Sequence, residues 1–284
     1  MLHMGKFNNN DPRRIKLINA AHIALTVTCQ LYQRVDEDSE KFTANGCVVL
    51  FSHNDTFYCF SNAHVLADHQ LGKTFFLLKD GTSVTVGGEL FYSLPLNSEH
   101  RNDDTLDISI VKLNLPVVEY LIRNGQRFLT IDQILTGFSL SKENRVLIAG
   151  YPASKTKIDI KTNNLKFNPL ISRTIPYLRK LNNDLFTKDY HHIVEFPIKS
   201  FKETSTGQRM RAPQPYGISG SGLWLLLEEN GITYIPILIG ILSEYHENNA
   251  ILISTKIDLF IGLLKQKFDS TINYNGIEVE LGYE

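Results

Sequence analysis

The chain has no apolar run approaching the roughly 20 residues that a membrane-spanning helix needs. Its longest candidate, Ile235 to Leu242, stops at Ser243 and Glu244. Cysteine is scarce: Cys29, Cys47 and Cys59 make an odd count inside strand-like apolar runs. That pattern suits buried structural thiols better than a disulfide framework or a zinc site. Neither sign of charge dominates, with 29 basic against 30 acidic side chains and a net charge of -1. Such a balance leaves no electrostatic footprint for nucleic acid. The polar start, Met1 to Arg14 with Asn8-Asn9-Asn10, lacks the apolar stretch and small-residue cleavage site of an export signal. These absences predict a soluble, cytoplasmic protein with no membrane or nucleic-acid partner.

What is present is enough to build a substantial core: 284 residues, 43% hydrophobic and 21% charged, far from the profile of a disordered chain. Asp11-Pro12 reads as an N-cap and first-turn proline, and Ile15, Leu17, Ile18, Ala21, His22 and Ile23 recur at helical spacing. The signal then changes to period two, with Leu25, Val27, Cys29 and Leu31 on one face of Ala24 to Gln33. Short strands are predicted at 47–51, 57–60, 74–78, 83–86, 89–92 and 107–113, with Asn54-Asp55 and Asp80-Gly81 as hairpin turns.

A polar connector, Asn114 to Asn144, leads to further strands at 146–149, 158–160, 193–196, 222–227, 233–242 and 250–255. Ile257, Phe260, Ile261 and Leu264 then mark a closing helix over 257–267. Many short strands and few helices predict an all-β barrel or sandwich.

Three segments carry chemistry: Ser61-Asn62-Ala63-His64-Val65-Leu66, Asp107-Ile108-Ser109-Ile110-Val111-Lys112-Leu113, and Gly217-Ile218-Ser219-Gly220-Ser221-Gly222-Leu223-Trp224. In this order they resemble the His, Asp and Ser motifs of the trypsin/chymotrypsin family of serine proteases, over roughly Gly46 to Leu264. The resemblance implies two six-stranded antiparallel β-barrels with an N-terminal and a C-terminal helix. It divides the chain into an extension (1–24), a first barrel carrying His64 and Asp107 (25–135), a second barrel carrying Ser219 with the terminal helix (136–267), and a tail (268–284).

The residue types suit the implied roles. A serine hydroxyl is a poor nucleophile until an imidazole takes its proton, and a buried carboxylate must hold that imidazole in the right tautomer. Ser219, His64 and Asp107 would fill these positions. Two backbone N–H groups must meet the developing oxyanion, and a Gly-x-Ser turn supplies them from Gly217 and Ser219. Glycines at 217, 220 and 222 allow the backbone to turn where a Cβ would collide. Ser221 competes with Ser219, although only Ser219 has the flanking glycines of the family pattern. Asp103 and Asp104 compete with Asp107 from within the polar run His100 to Thr105.

The family pattern extends further. Gly150-Tyr151-Pro152 resembles the second-barrel turn of compact bacterial members, and Gly240 to Ser243 resembles the strand that lines the specificity pocket, with Ser243 near Asp107. Ile218 departs from the aspartate that pairs with a freed N-terminus in digestive members, so activation by N-terminal clipping is disfavoured. At the pocket base, Pro213 offers no charge for Lys or Arg, and Ser243, Tyr245 and Leu252 suit a small or apolar residue before the cleaved bond. Lys155 to Met210 reads as an insertion bordering the cleft. Within it, His191-His192 does not read as a metal site, because neighbouring strand side chains point to opposite faces.

No cofactor or metal is called for. The expected partner is a protein or peptide substrate, with room for a regulatory protein partner. The alternative is an inactive protease-fold protein acting as a binding or regulatory module. An α/β-hydrolase is disfavoured, because Ser221 stands where Gly-x-Ser-x-Gly needs its last glycine and no histidine lies in the required order except His246.

Overall fold

The computed structural model describes residues 12–34, 42–66, 71–77, 82–94, 104–159, 164–179, 186–198, 201–202, 209–210, 213–231 and 233–273. Two curled antiparallel sheets follow one another along the chain. The first is built from β1 (Thr28–Arg34), β2 (Phe42–His53), β3 (Thr56–Ser61), β4 (Thr74–Leu77), β5 (Ser83–Thr85), β6 (Gly88–Tyr92) and β7 (Ser109–Leu113). Its seven strands lie in the order β5-β4-β1-β2-β3-β7-β6.

The second half contributes β8 (Val146–Gly150), β9 (Thr156–Asp159), β10 (Asn164–Phe167), β11 (Leu170–Thr174), β12 (His191–Glu195), β13 (Phe201–Lys202), β14 (Arg209–Met210), β15 (Gly222–Glu229), β16 (Thr233–His246) and β17 (Ile251–Lys256). Six of these form a sheet ordered β11-β8-β15-β16-β17-β12, while β9-β10 and β13-β14 are separate two-stranded ribbons. The expected six-plus-six arrangement is therefore seven plus six among the described residues.

Local chemistry accounts for several element boundaries. Asn54 and Asp55 both take positive φ, 46° and 57°, the conformation of a two-residue hairpin whose twist matches its strands. Asn114 caps α3 (Leu115–Arg123) by accepting the Val117 N–H, and Pro116 sits in the first turn, where its missing N–H costs nothing. The closing helix, α4 (Ile257–Lys267), occupies the expected residues.

Other boundaries were set by packing. Helix α1 (Pro12–Thr26) runs through Ala24 and Leu25, where alternation predicts strand. Ala20, Ala21 and Ala24 are fully buried, so a smooth, strongly helix-forming face lies against the sheets. Ile15 and Ile23, placed on the apolar stripe by periodicity, are instead exposed. Asp11 and the Asp80-Gly81 turn lie outside the described residues. The 155–210 segment is no mere insertion, since it supplies β11 and β12, the two outer strands of the second sheet. The burial alternation of β11, with Leu170, Ser172 and Thr174 inward, is interrupted by too many polar residues to be read as a strand from sequence.

Each sheet wraps its own apolar core, one around Leu31, Leu50 and Val111 and one around Ile148, Leu223 and Ile239. A third cluster joins them, combining Phe51 and Phe60 of the first sheet, Trp224 and Leu238 of the second, and residues of α1 and α4. The cysteines are free and buried, and burial pushes the thiols up, Cys47 to about 11 and Cys59 to about 12. No helix among the described residues is long and apolar enough to cross a membrane.

Candidate active site

The same device brings the chemistry together in each sheet: two antiparallel strands end side by side, and the segments just past their ends meet. In the first sheet Ser61 at the end of β3 pairs with Ser109 at the start of β7. His64 follows Ser61 by three residues in the one-turn helix α2 (Ala63–Leu66), and Asp107 precedes Ser109 by two. The Asp107 carboxylate receives both the His64 backbone N–H, at 2.9 Å, and the ring Nδ1, at 2.6 Å. Backbone and side chain of the same histidine are thus held by one carboxylate.

Asp107 does not begin a strand. Its φ is 51°, a left-handed conformation that aspartate tolerates better than most residues. Surrounding groups hold it there: Ala63 N–H and the Asn62 side-chain amide donate to the Asp107 carbonyl, both at 3.2 Å. Ser109 Oγ donates to the Asn62 carbonyl at 2.8 Å. The rival Asp104 braces the same loop, accepting the Leu106 and Asp107 N–H groups at 3.2 Å and the Ser93 hydroxyl at 2.6 Å. From the second sheet, His191 Nε2 meets the Thr105 carbonyl at 2.8 Å, and Thr255 donates to the Leu106 carbonyl at 2.8 Å. Asp103 lies outside the described residues.

In the second sheet Gly222 pairs with Ile241. Ser219 precedes Gly222 by three residues and Ser243 follows Ile241 by two, and Ser219 Oγ donates to the Ser243 carbonyl at 3.1 Å. The Ser243 hydroxyl turns the other way, to the Ile253 carbonyl at 3.3 Å, so its main chain rather than its side chain faces the site. Gly217 and Gly220 both need positive φ, 83° and 86°. Among the described residues no acceptor takes the N–H of Gly217 or of Ser219. Ser221 is fully buried, set against Cys47 behind the loop, and is not a cleft residue.

Ile218 is 2% exposed and packs in the second sheet's core with Val146 and Leu223. Apolar burial seats the serine loop without an ion pair to a freed terminus.

A cleft of about 350 Å³ joins the two halves, lined by His64, Gly217 and Ser219 together with Ser243, Tyr245 and Leu252. Pro215 and Tyr216, not Pro213, supply its prolyl and aromatic rim. Tyr245 turns inward with its ring on Phe196, centroids 5.8 Å apart, and narrows the pocket with Leu252. Sequence reasoning also missed Asn45 and Glu244, which line the cleft. Glu244 was within reach, because it directly follows Ser243. His191 and His192 are both buried, and the described residues contain no cluster of three metal-ligating side chains.

Two antiparallel half-barrels with a few helices and a cleft between them make this the chymotrypsin-like double β-barrel fold of the trypsin-like serine proteases. Neuropsin, a serine protease expressed in the limbic system of mouse brain, superposes with a TM-score of 0.53 at 14% identity, over 86% of this chain and 95% of that one. The scabies mite inactivated protease paralogue S-I1 gives a TM-score of 0.52 at 13% identity, over 87% and 96%. No protein-family model matches the sequence, and no curated protein matches it either.

Proposed function

We propose that the protein is a serine endopeptidase using Ser219, His64 and Asp107. The observation that carries this reading is the doubly held histidine, Nδ1 at 2.6 Å from Asp107, lining the same cleft as Ser219. With Nδ1 held by a carboxylate, Nε2 is the nitrogen that exchanges a proton with the serine.

In this reading Ser219 Oγ attacks the peptide carbonyl as His64 Nε2 takes its proton. The Gly217 and Ser219 N–H groups stabilise the oxyanion. Collapse of that intermediate breaks the C–N bond, and His64 returns the proton to the leaving amine. Water then attacks the acyl-enzyme, His64 takes and returns a proton in the same way, and the carboxylic acid product leaves Ser219 free. The narrow pocket under Tyr245 and Leu252 favours a small or apolar residue before the cleaved bond.

A second reading is a protease-fold binding module. The Ser219 hydroxyl donates to the Ser243 carbonyl in this structure, and one fold relative is named as inactivated. A fluorophosphonate probe separates the two. Labelling of the wild type that is lost in both Ser219→Ala and His64→Ala supports the enzyme, and a wild type that never labels supports the module. In a peptide panel varied only at the residue before the cut, efficient cleavage after arginine would contradict the pocket assignment.

A further inference from the structure

The edge of the cleft carries a charge that the proposed chemistry does not use. Strand β16 pairs with β15 only as far as Ile241, whereas its pairing with β17 continues to His246. From Ser243 to His246, therefore, one edge of β16 has no strand partner among the described residues. Such an edge offers backbone groups to an extended chain. At its start, the Ser243 carbonyl lies 3.1 Å from Ser219 Oγ.

The pairing with β17 is irregular at Ser243, and from Glu244 to His246 side-chain directions alternate. Tyr245 points inward to Phe196. Glu244 and His246 share the other face, joined by a 2.9 Å contact between Oε2 and Nε2. The imidazole orients the carboxylate and engages one of its oxygens, while Oε1 has no hydrogen-bond partner among the described residues. The Glu244 side chain is 51% exposed, and it is the only Asp, Glu, Lys or Arg among the described cleft-lining residues. Every other lining group is apolar or neutral apart from the titratable His64.

We infer that Glu244 selects a basic side chain at the second residue before the scissile bond; the inference rests on the peptidase reading. A substrate laid antiparallel on the open edge, with its scissile carbonyl at Ser219, brings the N–H of the residue before the cut to the Ser243 carbonyl. The preceding substrate residue then lies opposite Glu244. Directly opposed residues in an antiparallel pair project their side chains to the same face, so its side chain meets the carboxylate. Lysine or arginine there forms an ion pair, and glutamate or aspartate meets a like charge. The pocket under Tyr245 still takes a small or apolar neighbour, so charge and shape are read at consecutive positions.

The test has two arms. In the first, the intact chain digests a random peptide library and the cut sites are read by mass spectrometry. Lys and Arg should exceed Asp and Glu by about tenfold at the second residue before the cut, the scale of one partly exposed ion pair set against one like-charge repulsion. Glu244→Gln should bring that ratio below about twofold, and Glu244→Lys should invert it. A ratio unchanged by Glu244→Gln overturns the inference.

The second arm needs no chemistry. Fluorescence anisotropy measures binding of Ser219→Ala to octapeptide pools carrying two Lys, two Gln or two Glu at random positions. The Lys pool should bind about fivefold more tightly than the Gln pool, and Glu244→Gln in the same background should cancel the difference. Charge-dependent binding without any cleavage would defeat the peptidase reading and leave the role of Glu244 standing. Cleavage with no preference at this position would do the reverse. No cleavage in the first arm together with charge-independent binding in the second defeats both.

Discussion

The Ser219 carbonyl accepts the Cys47 N–H at 2.7 Å, so the loop bearing Ser219 is tied directly to β2 of the other sheet. The approach is close on both sides. A Cβ on Gly46 would run into Val65 and the Ser219 carbonyl, and one on Gly220 into the Cys47 carbonyl and Ser61 Oγ. Gly150 meets Ser221 in the same way from β8. Gly46 and Gly220 thus let backbone from the two sheets meet beside Ser219, while Gly150 lets β8 approach Ser221 within the second half.

Gly220→Ala should therefore displace the serine loop. Its φ of 86° and the collision with Cys47 add strain that a methyl group cannot relieve. We expect a loss of about 2–3 kcal/mol in urea unfolding together with loss of fluorophosphonate labelling. Retained labelling at wild-type rate would show that the close approach does not position Ser219.

Asp107 and Asp104 should separate by readout. Asp107→Asn keeps the shape but favours the wrong imidazole tautomer, so kcat/KM should fall by roughly a thousandfold or more with little change in stability. Asp104→Ala removes the one carboxylate oxygen that accepts both the Leu106 and Asp107 N–H groups, and the Ser93 contact as well. It should cost about 1–3 kcal/mol of stability and much less activity. Equal activity losses would contradict the division of labour.

Ile218→Asp tests how the serine loop is seated. A carboxylate there would be buried without a cation, at a cost of about 3–5 kcal/mol, whereas Ile218→Val should cost only about 1 kcal/mol. Urea midpoints of the two variants decide it, and a harmless aspartate would mean that a cation reaches the site.

Acid should weaken the fold through His192. Burial, with Lys256 nearby, pushes its imidazole down to about 3 from an ordinary 6.5. The unfolded chain then binds more protons throughout that window, and stability falls as pH drops from about 6.5 toward 3. The loss reaches about 2 kcal/mol by pH 5, and a neutral substitute such as His192→Gln should remove it. Parallel stability profiles for wild type and variant between pH 7 and 5 would refute this assignment.

Much of this was legible in the residues. Period-two alternation located most strands, turn chemistry at Asn54-Asp55 located a hairpin, and the apolar stripe of 257–267 located the last helix. Each of these depends on neighbours in sequence. The motifs around His64, Asp107 and Ser219 were legible for the same reason, because glycine, histidine and flanking apolar residues carry their conformational demands locally. The reach of α1 through Ala24 and the strand at Leu170–Thr174 were not legible, because each depends on a surface built elsewhere in the chain.

The sequence by itself determined the element types, the buried thiols and the chemical identity of the groups that meet in the cleft. Only the tertiary structure decided that Asp107 leaves its strand for a left-handed turn to grip His64, that Ser243 offers its carbonyl rather than its hydroxyl, and that Pro215 and Tyr216, rather than Pro213, line the cleft. The physical reason is that hydrogen-bond partners and steric limits at these positions come from residues tens to hundreds of positions away. Their arrival is set by the pairing of strand ends and the packing between sheets, which no local pattern encodes.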